Sequence, residues 1–144
     1  IALGEEEIDE GKVRWCMRLA LLGEIASLDS SGHQQTVREA DIDEYQLKKI
    51  QLARCLYKDR PLYIFEELSD FLTARECLVF GEHLKRHMRD KTVLICDDDF
   101  SLLRASSHIL FFEDGFLKAD GKLSKIREVS EDFDNYYNAN WQGK

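Results

Sequence analysis

The chain has 144 residues, of which 44% are hydrophobic and 33% are charged, and its net charge is -8. This length and composition predict one soluble globular domain with a substantial core. The acidic charge argues against a nucleic-acid partner, which would need a basic surface, and against an anionic membrane surface as a direct partner. No run approaches the ~20 apolar residues of a membrane helix, so we expect no membrane insertion of this segment.

The cysteines are scattered through apolar segments and lack the short paired spacings of zinc sites. They are Cys16, Cys55, Cys77 and Cys96. This pattern predicts buried, reduced thiols in a cytosolic protein rather than disulfides.

The first predicted element is a helix behind the acidic residues 4–10, with Asp9 as its cap and an apolar stripe that runs from Val13 to Leu21. Residues 29–35 are predicted to form a loop, in which the lone His33 has no expected role. A second helix is predicted over residues 47–57, where apolar side chains recur at helical spacing and Pro61 follows shortly after.

Residues 62–67, LYIFEE, place four apolar side chains directly before two carboxylates. A continuous apolar run without alternation predicts a strand that is buried on both faces, as in the centre of a parallel α/β sheet. Acids at the end of such a strand would face the crevice where open α/β sheets bind ligands. A core strand with two solvated acids in its exit loop fits these six residues equally well.

The same pattern then repeats, which favours the ligand-binding interpretation. A helix with an apolar face from Cys77 to Met88 is followed by the apolar strand 92–96 and by three aspartates at 97–99. Helix and strand in this order predict a βαβ unit with negative charge at one rim. Beyond it, we expect a short helix at 100–105, a hairpin around a D-G turn at 113–115, and a tail whose aromatic stripe packs on its own core. The stripe consists of Phe133, Tyr136, Tyr137 and Trp141.

Residues 50–59, 62–67 and 91–95 resemble three segments of the nucleotide-binding domain of ABC transporters: the helix after the signature sequence, the Walker B strand and the switch-histidine strand. The resemblance is strongest to the subfamily that holds the multidrug-resistance-associated proteins and the cystic fibrosis channel. It extends to residues 4–28, which are similar to the helical subdomain, and to 108–121, which are similar to the closing hairpin.

The resemblance implies an α/β fold with a partial RecA-like P-loop NTPase core, that is, a parallel sheet with flanking helices, together with an ABC helical subdomain and a C-terminal β-hairpin. Residues 1–144 would form a single partial cassette, with 8–59 as the helical, signature subdomain and 60–144 as the Walker B, switch-strand and C-terminal part. The sequence contains no G-x-x-x-x-G-K-[ST]. We therefore expect the Walker A half to precede Ile1 in a longer parent, or to have been lost.

Residues 42–46 fall where the family carries L-S-G-G-Q, a signature that brings helix amides close to the γ-phosphate of ATP bound by the opposite cassette. Asp43, Glu44 and Tyr45 replace its serine and glycines, and Gln46 alone matches. The two carboxylates fill the positive potential that a helix N-terminus offers to phosphate, and Asp43 with Gln46 predicts a capping box. We expect an ordinary capped helix start that is closed to phosphate.

The resemblance assigns the remaining site residues. Glu66 stands at the position of the aspartate that holds Mg²⁺ through water, and Glu67 stands at that of the catalytic glutamate. Mg²⁺ accepts carboxylate oxygens and keeps several waters, so Glu66 would suit it once a phosphate loop supplies a triphosphate. Thr73 falls on the D-loop aspartate and Asp98 on the switch histidine. Because a carboxylate cannot donate a hydrogen bond at neutral pH, we expect an ATPase-family domain that has lost efficient hydrolysis.

The function implied is that of a degenerate nucleotide-binding domain fragment, which contributes to ATP binding and regulation while a partner cassette hydrolyses. ATP and Mg²⁺ would be its cofactors, both only together with the missing Walker A half. Its partners would be a second ABC cassette and the transmembrane domains of a transporter, at the cytoplasmic face of a membrane.

Two alternatives remain open. A glutamate at one strand end with the D-x-D of Asp97 and Asp99 at the next is the arrangement of Mg²⁺-dependent phosphoryl-transfer domains of the topoisomerase-primase type, provided that these groups converge. Alternatively, the chain is a catalytically silent interaction module that docks on a partner and needs no nucleotide.

Overall fold

The computed structural model describes residues 1–23 and 42–140. A 3₁₀ turn, Leu68–Asp70, follows the first strand. The predicted loop at 29–35, including His33, and the aromatic Trp141 lie outside the described residues. The helices and strands, in chain order, are α1 (Glu10–Leu19), α2 (Glu44–Tyr57), β1 (Leu62–Glu66), α3 (Ala74–His87), β2 (Thr92–Cys96), α4 (Phe100–Leu103), β3 (Ile109–Glu113), β4 (Phe116–Gly121), α5 (Leu123–Val129) and α6 (Glu131–Asn140).

Helix α1 begins where its sequence predicts and packs against α2. The carboxylate of Asp9 accepts a hydrogen bond of 2.9 Å from the amide of Lys12, which confirms the predicted cap. The phenol of Tyr57 in α2 accepts a hydrogen bond of 3.3 Å from the Asp9 amide, and the Lys12 ammonium lies 4.8 Å from the centre of the Tyr57 ring. Tyr57 therefore fixes the start of α1 against the end of α2.

Strands β1 and β2 form a parallel pair connected by α3, which confirms the predicted βαβ unit. The register pairs Leu62 with Thr92 at one end and Glu66 with Cys96 at the other. The apolar face of α3 covers one side of this pair and enters the main core. The residues of α3 and its C-cap that are buried are Cys77, Phe80, Gly81, Leu84 and Met88, as predicted.

The prediction that β1 is buried on both faces is wrong. Tyr63 and Phe65 are buried, but Leu62 is 47% exposed and Ile64 is 62% exposed, and Leu94 on β2 is 47% exposed. A continuous apolar run is typical of a strand that is covered on both faces. The helices described here pack on only one face of the strand pair. We call the uncovered surface, formed by Leu62, Ile64, Leu94 and Cys96, the open face.

The C-terminal third forms a second hydrophobic cluster around the hairpin. Strands β3 and β4 pair antiparallel across a turn in which Asp114 has φ 50° and Gly115 has φ 79°, as a D-G hairpin turn requires. The described part of the predicted aromatic stripe packs on this cluster, with the Phe111 and Phe133 rings 5.2 Å apart. Phe100 of α4 joins the cluster and so connects it to the βαβ unit.

The prediction of four buried thiols holds for two of the cysteines. Cys16 and Cys77 are buried, and burial raises the pKa of their thiols to about 11 and about 12. Cys55, on α2, and Cys96, on the open face, are exposed. Across residues 1–23 and 42–140, no helix has the length and apolar character that a membrane span requires.

Candidate functional site

The parallel register brings the predicted acidic residues to one edge of the sheet. Glu66 is the last residue of β1 and pairs with Cys96, the last residue of β2, so the acids that follow each strand leave from neighbouring points. The amide of Glu67 donates a 3.0 Å hydrogen bond to the Cys96 carbonyl and extends the ladder by one residue. The expected rim of negative charge at the carboxyl ends of the strands is therefore present.

Glu67 is held in an unusual backbone conformation. Its φ of 53° and ψ of 45° lie in the left-handed region, which non-glycine residues seldom adopt. This conformation turns the chain sharply from β1 into the 3₁₀ turn and leaves the Glu67 side chain exposed. Residues held in such conformations cluster at functional sites, and Glu67 is the position that the resemblance assigns to catalysis.

Asp97 connects the loops that follow the two strands. Its carboxylate accepts hydrogen bonds from the Ser69 amide at 3.0 Å and from the Ser69 hydroxyl at 2.7 Å. It also accepts a hydrogen bond of 2.9 Å from the amide of Asp99. The Asp97 carboxylate thus accepts its hydrogen bonds from groups of the protein, and it holds the exit loops of β1 and β2 together.

The neighbouring aspartates have different roles. Asp99 is the N-cap of α4 and accepts a 2.7 Å hydrogen bond from the Ser101 amide. Asp98 is exposed and lies close enough to Tyr136 of α6 to influence its phenol. Burial raises the pKa of Tyr136, and the negative charge of Asp98 raises it further. The Phe100 ring, which follows these aspartates, packs against the rings of Tyr136 and Tyr137, so the loop at 97–99 lies near α6.

In the part of the chain that the structure describes, the acids do not converge as the topoisomerase-primase alternative requires. Asp97 and Asp99 both accept hydrogen bonds from nearby backbone amides. Within the described ranges, no three acidic, histidine or cysteine side chains are placed to share a metal ion. Glu66 projects from the end of β1 and is exposed, which leaves it as one carboxylate suited to Mg²⁺ rather than as part of a preformed cage.

The start of α2 is closed by its own side chains, as predicted. The Asp43 carboxylate accepts a 2.7 Å hydrogen bond from the Gln46 amide, and the Gln46 side chain accepts a 3.2 Å hydrogen bond from the Asp43 amide. This reciprocal pair is the predicted capping box. Glu44 and Tyr45 point to solvent, and Tyr45 is 60% exposed.

Thr73, which the resemblance places at the D-loop position, is the N-cap of α3. Its side chain accepts a hydrogen bond from the Glu76 amide, and the Glu76 carboxylate accepts one of 2.9 Å from the Thr73 amide. Glu76 also forms an ion pair with Lys49 of α2. Burial raises the pKa of Glu76, but hydrogen bonds from Lys49 and Thr73 outweigh it and hold the pKa below its usual value. Thr73 and Glu76 thereby connect α3 to α2.

A groove of about 380 Å³ runs between α2 and the acidic edge of the sheet. Its walls come from Lys48 and Cys55 on one side and from Ile64 and Glu66 on the other. The Lys48 ammonium lies 5.8 Å from the ring centre of Phe71, which also lines the groove. The groove is continuous with the open face through Ile64.

Two contacts that shape this site were missed by sequence reasoning. Ser69 and Lys49 are ordinary polar residues of a loop and a helix, and no local pattern distinguishes them. Each becomes important because a distant carboxylate, Asp97 or Glu76, reaches it across the fold. Neither contact leaves a signal in the sequence.

Comparisons with known proteins identify the relatives of this chain. No family model matches the sequence. Over 105 residues, covering 70% of this chain, it is 31% identical to ABC transporter C family member 6 of Arabidopsis thaliana. It is 23% identical, over 99% of its length, to the mycobactin import ATP-binding/permease protein IrtB of Mycolicibacterium smegmatis. The mating factor M secretion protein mam1 of Schizosaccharomyces pombe is 26% identical over 94% of the chain.

The chain is a relative of the ABC transporters. Its fold also matches that of a bacterial Atm1-family ABC exporter with ATP bound, with a TM-score of 0.77 over 98% of this chain and 15% sequence identity. At that identity the likeness shows a shared fold. The chain spans 26% of IrtB, 10% of mam1, 7% of the Arabidopsis ABC transporter and 25% of the exporter chain.

Proposed function

We propose that the chain is the later part of a degenerate nucleotide-binding cassette of an ABC transporter, which takes part in ATP binding and regulation while a partner cassette hydrolyses. In this proposal residues 8–59 belong to the helical subdomain, and residues 60–144 supply the later part of a RecA-like core. The Walker A half would come from elsewhere in a longer protein. The partners would be a second cassette and transmembrane domains, at the cytoplasmic face of a membrane.

The observation that carries the proposal is the closed start of α2. A phosphate bound at a helix N-terminus needs free backbone amides and positive potential. Here the Gln46 amide already donates to the Asp43 carboxylate, and Glu44 adds a second negative charge in the first turn. The carboxylates of Asp43 and Glu44 would therefore repel a γ-phosphate from an opposite cassette. The Gln46 amide would not be free to bind it.

The switch position supports the same conclusion. Asp98 is exposed beside the acidic edge, where a carboxylate repels phosphate oxygens and has no proton to donate at neutral pH. The loop is also held in place, since Asp97 is bonded to Ser69 and the Phe100 ring lies 5.1 Å from that of Tyr137. These features favour a domain that keeps the cassette fold but does not hydrolyse ATP efficiently.

Glu66 and Glu67 are the residues that would serve a bound nucleotide. Both are exposed, and neither forms an ion pair with a described residue, so their carboxylates are available. Glu66 would supply one oxygen to Mg²⁺, which would offset charge on a triphosphate held by a Walker A loop. Glu67 would orient a water molecule. This chain by itself offers no phosphate loop.

The second candidate is a silent interaction module. The open face favours it, because exposed apolar side chains on a sheet serve docking whether or not a nucleotide is bound. The two candidates differ in nucleotide affinity. In the longer protein, saturable binding of a fluorescent ATP analogue would support the cassette, and absence of binding would support the silent module.

The proposal is tested by measuring phosphate release from ATP and Mg²⁺ by the purified chain. We expect no turnover above the background without protein. Hydrolysis that Glu67→Gln abolishes, and that the exposed control Glu82→Gln leaves intact, would contradict the proposed loss of activity. The same pair of variants in the longer protein, assayed with its partner cassette, should leave the turnover rate unchanged.

A further inference from the structure

Two histidines lie one helical turn apart near the end of α3. His83 and His87 are four positions apart, and side chains at that spacing stack on one face of a helix with their Cβ atoms about 5–6 Å apart. The centres of their rings are 6.3 Å apart. They lie at the end of α3 that is remote from the acidic edge, and the proposed function gives neither of them a role.

Both imidazole rings face α1. The Nδ1 atom of His83 lies 3.4 Å from the carbonyl oxygen of Leu19, the last residue of α1. The His87 ring stands edge-on to the ring of Trp15, with the ring centres 5.7 Å apart. Because both rings meet the same neighbouring helix, they lie side by side on one face of α3. His83 is half-buried at this junction, and His87 is exposed.

The Leu19 carbonyl selects the tautomer of His83. A carbonyl oxygen only accepts hydrogen bonds, so the proton of a neutral His83 ring lies on Nδ1, and Nε2 keeps its lone pair. Histidines that bind metal ions almost always donate their other ring N–H to a carbonyl, a carboxylate or water, which fixes the ring and makes the ligand more basic. His83 is therefore oriented to coordinate a metal ion through Nε2.

We propose that His83 and His87 together bind one divalent transition-metal ion of the class that imidazole nitrogen prefers, namely Zn²⁺, Ni²⁺ or Cu²⁺. Two histidines at this spacing on one helix are a known arrangement of zinc ligands. Coordination at about 2.0–2.1 Å requires the two rings to approach each other, which rotation of the exposed His87 side chain permits. In the described ranges, no group of three acidic, histidine or cysteine side chains is placed to hold one ion, so water would fill the remaining positions.

The surroundings of the pair favour a cation. His87 is the last residue of α3, where the helix carbonyls create negative potential, and the whole chain has a net charge of -8. The Lys85 ammonium is drawn toward α4, because it donates hydrogen bonds to the Glu82 carboxylate at 3.1 Å and to the Arg104 carbonyl at 3.2 Å. Arg86, also in the last turn, is exposed to solvent, which screens its repulsion.

Trp15 supplies a reporter, because bound Cu²⁺ quenches the fluorescence of a nearby indole and Trp15 lies beside His87. In a Trp141→Phe background, Trp15 is the only tryptophan of the chain. The exposed thiols of Cys55 and Cys96 would first be blocked with N-ethylmaleimide, since thiolates also bind metals. We expect saturable quenching with one Cu²⁺ per chain, which excess Zn²⁺ reverses. Mg²⁺ should have no effect, because it prefers oxygen ligands.

A pair of matched variants tests the ligands themselves. His87→Gln removes one imidazole from the pair, and His108→Gln removes one from an exposed position elsewhere in the chain. Both positions are exposed, so both variants should keep the circular dichroism of the parent. His87→Gln should weaken metal binding by at least about tenfold, the loss that even a partner outside the coordination sphere causes, whereas His108→Gln should leave it unchanged. Calorimetry with Zn²⁺ on the same variants gives the affinity without relying on Trp15.

Binding should also strengthen the junction of α1 with α3, because a metal ion on Nε2 keeps the proton of His83 on Nδ1, facing Leu19. At a Zn²⁺ concentration about a hundred times the dissociation constant, the melting temperature should rise by roughly 5–10 °C. The His87→Gln variant should show little of this rise. Quenching that does not saturate, equal affinities of the two variants, or a melting temperature that Zn²⁺ leaves unchanged would overturn the inference.

Discussion

The carboxylate of Asp97 bridges two loops by accepting hydrogen bonds from both the amide and the hydroxyl of Ser69, at 3.0 Å and 2.7 Å. Ser69 lies in the turn after β1, and Asp97 lies directly after β2. The strands themselves are joined by backbone hydrogen bonds, but the loops at their carboxyl ends are joined by this side chain. The spacing between Glu67 and Asp98 consequently depends on Asp97.

Asp97→Asn should loosen the loops and destabilise the fold. The NH2 group of asparagine would face hydrogen-bond donors, from which it cannot accept a hydrogen bond. Hydrogen bonds to a charged group contribute about 1.5–3 kcal/mol each. We expect a loss of about 2 kcal/mol in the free energy of unfolding, measured by urea denaturation. Asp98→Asn, at the exposed neighbouring position, should change it by less than about 0.5 kcal/mol. Equal effects of the two variants would show that Asp97 is not a bridge.

Asp43 should stabilise α2 as a helix cap. Asp43→Ala removes the acceptor for the Gln46 amide and should cost about 1 kcal/mol of unfolding free energy. Asp43→Ser keeps an oxygen in the same place and should recover most of that loss, which makes it the matched control. Thermal melts of the three proteins would test this expectation. It would be contradicted by an alanine variant as stable as the serine variant.

Gly81 allows α3 to approach Ala105, just after the end of α4, closely. A Cβ atom built at Gly81 would lie 2.4 Å from the Cβ of Ala105, which is too near for unchanged packing. Gly81→Ala should therefore destabilise the protein by about 1–3 kcal/mol, although alanine is the better helix former. Adding Ala105→Gly removes the clashing methyl group and should restore stability. The four proteins form a double-mutant cycle in urea, and additive effects would contradict the contact.

The ion pair between Lys49 and Glu76 should make stability depend on pH. Because the folded state holds the pKa of Glu76 below its ordinary value of 4.5, the charged carboxylate stabilises the fold above that pH. The contribution is then lost as the pH falls through the lowered pKa. Glu76→Gln should reduce the unfolding free energy by about 1–3 kcal/mol at neutral pH, and the difference from the parent should shrink in acid.

The control for this prediction is Glu82→Gln on the same helix. Glu82 pairs with Lys85 at an exposed position, where ion pairs contribute little. Its substitution should leave the pH profile of stability close to that of the parent. A Glu76→Gln profile parallel to that of the parent would mean that the Lys49 contact does not set the pH dependence.

Local patterns determined much of the fold. The D-G turn, the caps at Asp9 and Asp43 and the apolar spacing of α3 are each encoded within a few neighbouring residues, so they could be predicted before any contact was known. The meeting of the acidic residues at one sheet edge was also predictable, because carboxyl ends of parallel strands always share an edge. What failed was the expectation that both faces of β1 are covered. The apolar run indicates that burial of both faces of the strand is favourable. It does not indicate whether this chain supplies the residues that bury them.

The sequence by itself determined the elements, the acidic rim and the capped start of α2, since these depend on residue type and on spacing along the chain. The tertiary structure alone decided which acids are free and which are engaged. Asp97 is bound to Ser69, whereas Asp98 beside it is exposed. The same holds for the open face and for the contact of Glu76 with Lys49. Such properties depend on the positions of side chains distant in sequence, because hydrogen bonding and burial act through space.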